Sequence, residues 1–507
     1  MKRYKKANEG IHAPEETKEK AVRSDGKRPS RARWLGAAAA VLAVVILGGV
    51  ALWPRQPGAA DPLSLDGPGV PVGREAPAAH ANALALAVYP EMASYPRDEE
   101  YVSSLTGEFD YDKYSQDYAD WRRSREALSS GMDYAGVMDG FLSASTARFL
   151  AGAGEENRVY SPLNVYMALS MLAETAGGNS RGQLLDLLDA DSIETLRGRA
   201  RALWRDNYRD DGVVTSVLAN SLWLRGGMTY SQEVLDTLAR DYYASSFSGE
   251  MGSEAYNQAL RDWLNEQTRG LLAEQAGGLS MEPETVLALA STVYFKAAWD
   301  GGFSKDRTER DVFHAPSGDV EADFMSRSME GVYYWGERFA AVRLSFQLGG
   351  SMWLILPDEG YDPDELLSSG EAVEFLLADK LEHADSAYLV INLSMPKFDV
   401  SSDLDLIGGL KSLGVTDIFD YTVSNFDPLA ASTGDPLYVS QARHAARVEV
   451  DEEGCEAAAY TVIRMDPGAA PPPDEEVDFV LDRPFLFAVT NNNGLPLFTG
   501  VVNRPNG

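Results

Sequence analysis

One short motif in the sequence has the residue types of a catalytic nucleophile. Residues 178–182 read G-N-S-R-G and satisfy the G-x-S-x-G pattern, in which serine hydrolases place the reactive serine on a sharp turn between a strand and a helix. The residues before it, 165–176, have helical spacing instead. A serine hydrolase that uses Ser180 is therefore a minor alternative, and we expect Ser180 to cap a helix over residues 181–188.

Residues that could bind a metal or form a disulfide are scarce. The chain of 507 residues has one cysteine, Cys455, and five histidines that lie far apart in sequence. A single thiol cannot form an intramolecular disulfide or a thiolate-rich zinc or iron–sulfur site. The histidine spacing also excludes a helical His-x-x-x-His site. We therefore expect no metal and no cofactor.

The segment around Cys455 has the pattern of a strand that could enter a β-sheet. A strand at residues 448–450 leads into an acidic turn with Gly454 and a run of small residues. Side chains in a strand alternate between two faces. Over residues 455–466 the face of Cys455 is uncharged and mostly small, whereas the face of Glu456 carries every charge. The segment could thus insert with one face buried, although an ordinary edge strand or surface loop also fits.

The elements that must position these residues follow from periodicity and turn chemistry. Ser161 and Pro162 predict the start of a helix whose buried face repeats through residues 165–176. The predicted strands lie at residues 286–299, at residues 387–400 with a break at Pro396, and in a C-terminal hairpin with its turn at residues 491–494. Because such patterns alternate without an obvious linker from about residue 131, we expect one large α+β domain.

The N-terminal part has the organisation of a single-pass membrane protein. Residues 35–53 carry no charge and would span about 28 Å as a helix, close to the thickness of a bilayer. The basic residues 1–34 should stay cytoplasmic. We expect an uncleaved anchor, with secretion after signal cleavage as the alternative. The six prolines of residues 54–79 predict a linker. Residues 80–130 contain a helical pattern at 116–128, but their packing is not predicted.

The net charge excludes one class of partner. The chain has 45 Lys and Arg against 77 Asp and Glu, a formal charge of −32, and residues 35–507 alone carry −38. This balance argues against a nucleic-acid binder that depends on phosphate contacts. It favours encounter with a basic protein, an effect that salt screens.

Several motifs, in this order, resemble the serpin family. They are Asn157 with Ser161-Pro162-Leu163; Phe295-Lys296 with Trp299, Phe303, Thr308 and Phe313; Pro396-Lys397-Phe398; the segment from Glu452 to Ala459; Arg483-Pro484-Phe485; and Leu497-Phe498 with Gly500, Asn503 and Pro505. The resemblance covers about Met132 to the C-terminus. It implies a serpin domain over residues 131–507, with three β-sheets, about nine helices and an exposed reactive-centre loop, in a membrane-anchored member of bacterial type.

The resemblance further implies an inhibitor and not an enzyme. A target serine protease attacks the loop and forms an acyl-enzyme. The cut loop then inserts as a strand of the large sheet, and distortion of the protease active site stops deacylation. A non-inhibitory serpin-fold binding protein is the alternative.

The resemblance assigns the loop hinge to the segment around Gly454. Gly454 would let the backbone swing, and the alanines lack bulk that would obstruct insertion. Cys455 departs from the usual threonine or serine, yet a small thiol behaves as a buried hydrophobe. The hinge, which is of the inhibitory type, comprises Glu452, Glu453, Gly454, Cys455, Glu456, Ala457, Ala458 and Ala459.

The resemblance also maps the region where the sheet opens. The polar network called the shutter would contain Ser161, Asn164, Ser291 and His444, with Trp299 where the loop first enters the sheet. The family usually has serine at the position of Asn164 and asparagine at that of Ser291. The exchange keeps the same hydrogen-bonding inventory, so we expect the network to survive.

The reactive bond follows from counting along the loop. Fourteen residues beyond Gly454 lies Gly468, and the bond Gly468-Ala469 would suit a subtilisin- or elastase-like protease with a narrow pocket. The alternative, Arg464-Met465, would suit a trypsin-like enzyme. We expect a monomer whose partner is a serine protease, with a cysteine protease as a second possibility.

Overall fold

Two β-sheets and a set of helices organise the part of the chain that the computed structural model describes. That part comprises residues 82–103, 107–132, 136–377, 383–430, 437–455 and 475–505, and all of it belongs to the unit Ala76–Gly507. Its α-helices are α1 Tyr111–Leu128, α2 Asp139–Leu150, α3 Pro162–Thr175, α4 Gly178–Leu187, α5 Ile193–Asn207, α6 Gln232–Asp241, α7 Glu254–Gln267, α8 Ala273–Gly277, α9 Pro363–Ser369, α10 Glu371–Leu377 and α11 Ile407–Ser412. They slightly exceed the expected nine because four have only five to seven residues.

The strands of these residues alternate with the helices along the chain. They are β1 Ala83–Ala85, β2 Arg158–Tyr160, β3 Arg209–Asp210, β4 Thr215–Arg225, β5 Ala244–Gly249, β6 Leu287–Ala298, β7 Thr308–Ala315, β8 Gly318–Trp335, β9 Phe339–Ser345, β10 Ser351–Pro357, β11 Asp385–Pro396, β12 Phe398–Asp405, β13 Arg443–Val450, β14 Gly454–Cys455, β15 Glu476–Val480, β16 Phe485–Thr490 and β17 Pro496–Val502. The first sheet has the order β1-β5-β4-β6-β14-β13-β12, with β3 on β4. The second has the order β15-β11-β8-β9-β10-β16-β17-β2, with β7 on β8.

The expectation of three separate sheets is wrong for the described residues, and β8 is the reason. This strand has 18 residues, long enough to serve two sets of partners. Its first part pairs with β7, from Gly318 opposite Ala315 onward, and its last residues pair with β9, Tyr333 opposite Val342. Because one continuous strand joins both sets, they form a single nine-stranded sheet.

The helix predicted from Ser161 is confirmed as α3. The Ser161 hydroxyl accepts a hydrogen bond from the backbone N–H of Asn164, and Pro162 occupies the first helical turn. Every residue of α3 except Ala168 is buried, so the helix forms the core beneath β6 and β17. The strand at Pro396 also ends as predicted, and β16 and β17 form the predicted C-terminal hairpin, with Gly494 at φ +82° in its turn.

The segment before the large domain packs on the first sheet. Strand β1 lies on the edge of β5, with Ala83 opposite Phe247, and the predicted helix at 116–128 is confirmed within α1. The carboxylate of Asp211, fully buried, accepts a hydrogen bond from Trp121 Nε1 at 3.0 Å. Its carbonyl oxygen accepts one from the N–H of Tyr95 at 2.8 Å. Asp211 therefore fastens this segment to the turn before β4.

The predicted anchor at residues 35–53 and the linker at 54–79 lie outside the described residues. No helix within the described ranges combines the length and hydropathy that crossing a bilayer requires.

Candidate functional site

The hinge segment begins between two strands of the first sheet. After β13 the chain reverses in a tight turn, in which the Asp451 carboxylate accepts hydrogen bonds from the N–H groups of Glu453 and Gly454. Strand β14 then pairs on one side with β13, Cys455 opposite Val450, and on the other with β6, Cys455 opposite Ala297. Cys455 thus has ladder partners on both edges, whereas Gly454 has one, Ala298 on β6, and the Cys455 side chain is 3% exposed.

Close backbone approach explains the glycine at position 454. A Cβ atom there would overlap the carbonyl oxygen of Ala297 and lie 2.8 Å from the Cα of Ala298. Its φ is not in the left-handed region that favours glycine. The residue is therefore required for packing between strands, in addition to any swing of the hinge.

A buried carboxylate holds the turn next to the hinge. Glu452 is 4% exposed, and its carboxylate lies 2.8 Å from Lys397 Nζ and accepts a hydrogen bond from the Thr308 hydroxyl at 2.8 Å. Burial acts to raise the pKa of Glu452, but Lys397 and Thr308 together hold that pKa below its ordinary value. The ion pair with Lys397 links the turn to the start of β12, and the hydrogen bond from Thr308 links it to β7. We call Glu452, Lys397 and Thr308 the hinge latch.

Trp299 lies against the same turn and joins the two sheets. Its backbone N–H donates to the carbonyl of Glu453 and its Nε1 donates to the carbonyl of Asp451, both at 2.9 Å. The indole stacks on Phe346, with ring centroids 4.8 Å apart, and Trp299 and Phe346 form the β-bridge between the sheets. Trp299 thus lies beside the point where β14 enters the first sheet.

The residues predicted for the shutter come together beneath β6. Asn164 Nδ2 donates to the carbonyl of Ser291 at 3.0 Å, and the Ser291 hydroxyl contacts the amide oxygens of both Asn164 and Asn220. One hydroxyl proton can serve only one of these two acceptors at a time. The exchanged serine and asparagine therefore contact each other directly, and the network extends to β4 through Asn220.

His444 completes this network from β13. Its Nε2 accepts a hydrogen bond from the N–H of Ser161 at 3.0 Å, so the neutral ring carries its proton on Nδ1. Burial lowers the pKa of His444 to about 4, which the Asp403 charge opposes. His444 is therefore neutral near pH 7 and acts as an acceptor that ties β13 to the start of α3.

Other predicted site residues lie outside the described ranges. They are the hinge residues Glu456, Ala457, Ala458 and Ala459 and the two candidate bonds, Gly468-Ala469 and Arg464-Met465.

Several residues of this site have no role predicted from the sequence. Lys397 and Thr308 were noted only as parts of family motifs, and the roles of Asp451 and Asn220 were missed. A signal existed for two of them: Asp451 opens an acidic turn three residues before Gly454, and Asn220 interrupts the apolar run of β4. Their partners are distant in sequence, so local patterns do not predict the contacts.

The structure does not support a nucleophile elbow at Ser180. The segment before the motif is the helix α3, and Ser180 is a buried residue in the first turn of α4. The predicted cap is wrong, since α4 begins at Gly178 with Gly177 as its N-cap. The Ser180 hydroxyl instead accepts a hydrogen bond from the N–H of Asn425 at 3.1 Å.

Comparison with protein families gives one extended match. Residues 142–505 match the model described as Serpin (serine protease inhibitor). Among curated relatives, a protein named putative serpin-Z6C, from Oryza sativa subsp. japonica, is 30% identical over 397 residues, which are 72% of this chain and 94% of the relative. Serpin-ZX of Arabidopsis thaliana is 28% identical over 363 residues, 69% of this chain and 92% of the relative.

Solved structures with a similar fold are also serpins. The native state of the thermophilic serpin tengpin superposes with a TM-score of 0.66 at 26% identity, over 74% of this chain and 96% of tengpin. Arabidopsis AtSerpin1, in the native stressed conformation, gives a TM-score of 0.61 at 26% identity, over 74% of this chain and all of that chain, 100%.

Proposed function

The chain belongs to the serpin family, and on that premise we propose that it inhibits a serine protease by trapping it as an acyl-enzyme. A target protease would cut the reactive loop, and the loop would insert into the first sheet before the ester is hydrolysed. The displaced protease would then lose the oxyanion-hole geometry that deacylation needs. The serpin chain supplies no catalytic group to this reaction.

One observation carries the proposal. Strand β14 lies between β6 and β13 and is paired with both, so the start of the loop already occupies the position that the inserted strand would extend. The inward face of the sequence that follows Cys455 is uncharged and mostly small. Further insertion along the same line would bury that face without burying a charge.

We propose a target with a narrow specificity pocket, of the subtilisin or elastase type, cutting at Gly468-Ala469. The counting from Gly454 and the small residues at that bond support this choice. Arg464-Met465 is the alternative bond, and cutting there would leave a shorter strand to insert. A cysteine protease of similar specificity is a second candidate.

We propose that the inhibitor is held outside the cytoplasm by residues 35–53. The uncharged run, its length and the basic residues before it support this arrangement. A disulfide-free domain outside the cytoplasm would suit a protein of bacterial type. Membrane fractionation with protease protection of intact cells tests the anchor; release of the uncut protein into the medium would support signal cleavage instead.

The inhibitory mechanism is tested by the product it leaves. Incubation with subtilisin-, elastase- and trypsin-like proteases should give an SDS-stable covalent adduct with one of them, and mass spectrometry of the released C-terminal peptide identifies the cut bond. Clean cleavage without an adduct by every protease tried would contradict inhibition. A peptide that begins at Met465 would contradict the preferred bond.

A pair of hinge variants tests insertion itself. Ala457→Arg places a charge on the inward face and should lower the adduct yield by about tenfold or more, because that charge would be buried on insertion. Ala458→Arg, on the opposite face, is the matched control and should keep most of the yield. Equal yields from the two variants would contradict loop insertion.

A further inference from the structure

A pocket lies where the N-terminal segment meets the large domain. It has a volume of about 360 Å³ and is lined on one side by Met92, α1 and the residues that follow α1. The other side is formed by the end of α5, by β3 and β4, and by the turn at residues 491–493. The N-terminal segment precedes the residues that match the family model, 142–505, so this pocket depends on a part of the chain outside that match.

The charged groups around the pocket are mostly positive. Arg125, Arg205 and Arg209 line it, and Asp206 is the single carboxylate among the described lining residues. The Asp206 carboxylate is already engaged by the N–H and hydroxyl of Ser130. In a chain with a formal charge of −32, the described lining thus holds three arginines against one carboxylate.

These arginines have few partners that neutralise them. Among the described residues, Arg205 donates only to the backbone carbonyls of Ala127 and Leu128. Arg125 lies over the ring of Trp121, 5.9 Å from its centroid, and forms no ion pair with a described carboxylate. Arg209 is paired with Asp211 at 2.6 Å. The lining therefore keeps an excess of positive charge.

Two buried donors in the same lining lack an acceptor. Arg209 is 6% exposed and Ser216 is 5% exposed, and within the described ranges neither Arg209 Nη2 nor the Ser216 hydroxyl has a hydrogen-bond partner. Burial lowers the pKa of Arg209 to about 10, and the nearby Arg125 charge acts in the same direction, against Asp211. The site thus has both unused donors and uncompensated charge.

We propose that this pocket binds a small ligand that carries a phosphate or sulfate group. Guanidinium groups bind tetrahedral oxyanions through paired hydrogen bonds. Arg125 and Arg205, neither of which forms an ion pair with a described carboxylate, are the guanidinium groups that would hold the anion. The apolar side chains of Met92 and Leu128 also line the pocket and could contact a small organic group attached to the anion. The proposal does not depend on protease inhibition.

Calorimetric titration of the full-length protein with sodium phosphate and with sodium sulfate, against sodium chloride at equal ionic strength, tests the site. We expect one saturable site for at least one of the two anions. Arg125→Gln should weaken binding at least about tenfold, since a charge-assisted contact to an oxyanion is lost. Arg123→Gln is the matched control, because Arg123 lies on the same helix and pairs with Asp120 at the surface; it should bind like the wild type.

A second variant keeps the proposal testable if the Arg125→Gln protein does not fold. Ser216→Ala removes the orphaned hydroxyl without adding bulk and should weaken binding severalfold while the melting temperature stays unchanged or rises. Absence of saturable heat with both anions would overturn the proposal. So would equal affinity of the wild type and the folded Arg125→Gln protein, which would show that the anions bind elsewhere on the surface.

Discussion

At the scale of single residues, His444 couples stability to pH. Its pKa is about 4 in the folded protein and near 6.5 in the unfolded chain. The unfolded chain therefore binds a proton more readily, so the free energy of unfolding should fall as the pH is lowered from about 6.5 to about 4, by at most about 3 kcal/mol. Below that range both states are protonated and this contribution no longer changes.

Urea unfolding between pH 4 and 7.5 measures this dependence. His444→Gln can still accept the Ser161 hydrogen bond and should flatten the slope in that window. His314, whose side chain is 58% exposed, offers the matched control: His314→Gln should keep the slope of the wild type. A variant at position 444 that keeps the full slope would show that the dependence arises from other groups.

Local sequence patterns predict some of these residues well and others poorly. Ser161 was assigned correctly as a helix cap because the capping serine and its helix are contiguous. The resemblance named Asn164, Ser291 and His444, which are far apart in sequence; in the fold Asn164 contacts Ser291 and His444 contacts Ser161. Asn220 was not predicted because its amide contacts Ser291 on the neighbouring strand β6. No local sequence pattern indicates which strand pairs with β4.

At the scale of elements, the hinge latch fixes the turn before β14. Lys397→Met removes the partner of a carboxylate that is 4% exposed and should cost about 1–3 kcal/mol, less than for a fully buried pair because Lys397 is partly exposed. Freed from this anchor, the turn should move more easily, so the uncut protein should lose inhibitory capacity faster on warming. Thermal unfolding and residual adduct formation after incubation measure the two effects.

The neighbouring ion pair supplies the control for the latch. Lys305 pairs with Glu453 at 2.7 Å, but its side chain is 69% exposed, and exposed pairs contribute little. Lys305→Met should therefore leave both measurements nearly unchanged. If it were as damaging as Lys397→Met, burial of Glu452 would not be the source of the latch's strength.

The N-terminal segment is a second element whose attachment can be measured. Trp121→Phe keeps the aromatic packing but removes the donor to Asp211, which should cost about 1–2 kcal/mol and increase hydrogen exchange in residues 82–130. Tyr111→Phe, in the same helix at a position that is 73% exposed, should change neither. Unchanged exchange in the Trp121 variant would show that Asp211 is not what fastens the segment.

The elements themselves were easier to predict than their assembly. Helix α3, strand β6 and the C-terminal hairpin follow from hydrophobic spacing and turn residues. The union of two expected sheets into one did not, because the length of β8 and its change of partner depend on distant strands. The packing of β1 against β5 could not be predicted either, because a strand of three residues, Ala83 to Ala85, is too short to show a strand pattern.

At the scale of the whole molecule, the proposed mechanism requires that the uncut chain is not in its most stable arrangement. Each added ladder bond contributes about 0.5–1.5 kcal/mol, so insertion of about ten residues should raise the melting temperature of a domain of this size by about 5–20 °C. Scanning calorimetry before and after limited proteolysis in the loop measures this. A cut within residues 54–79 is the control and should leave the melting temperature unchanged.

The two-residue strand β14 bears on how fast such a relaxation can begin. Adding a strand to a sheet is slowest at the first contacts, because several torsions must be fixed before any ladder bond compensates for them. Here those first contacts are already formed, by Gly454 and Cys455 with β6 and by Cys455 with β13. In the proposed mechanism, insertion of the cut loop would therefore extend an existing strand, and its slowest step would be complete before competition with ester hydrolysis begins.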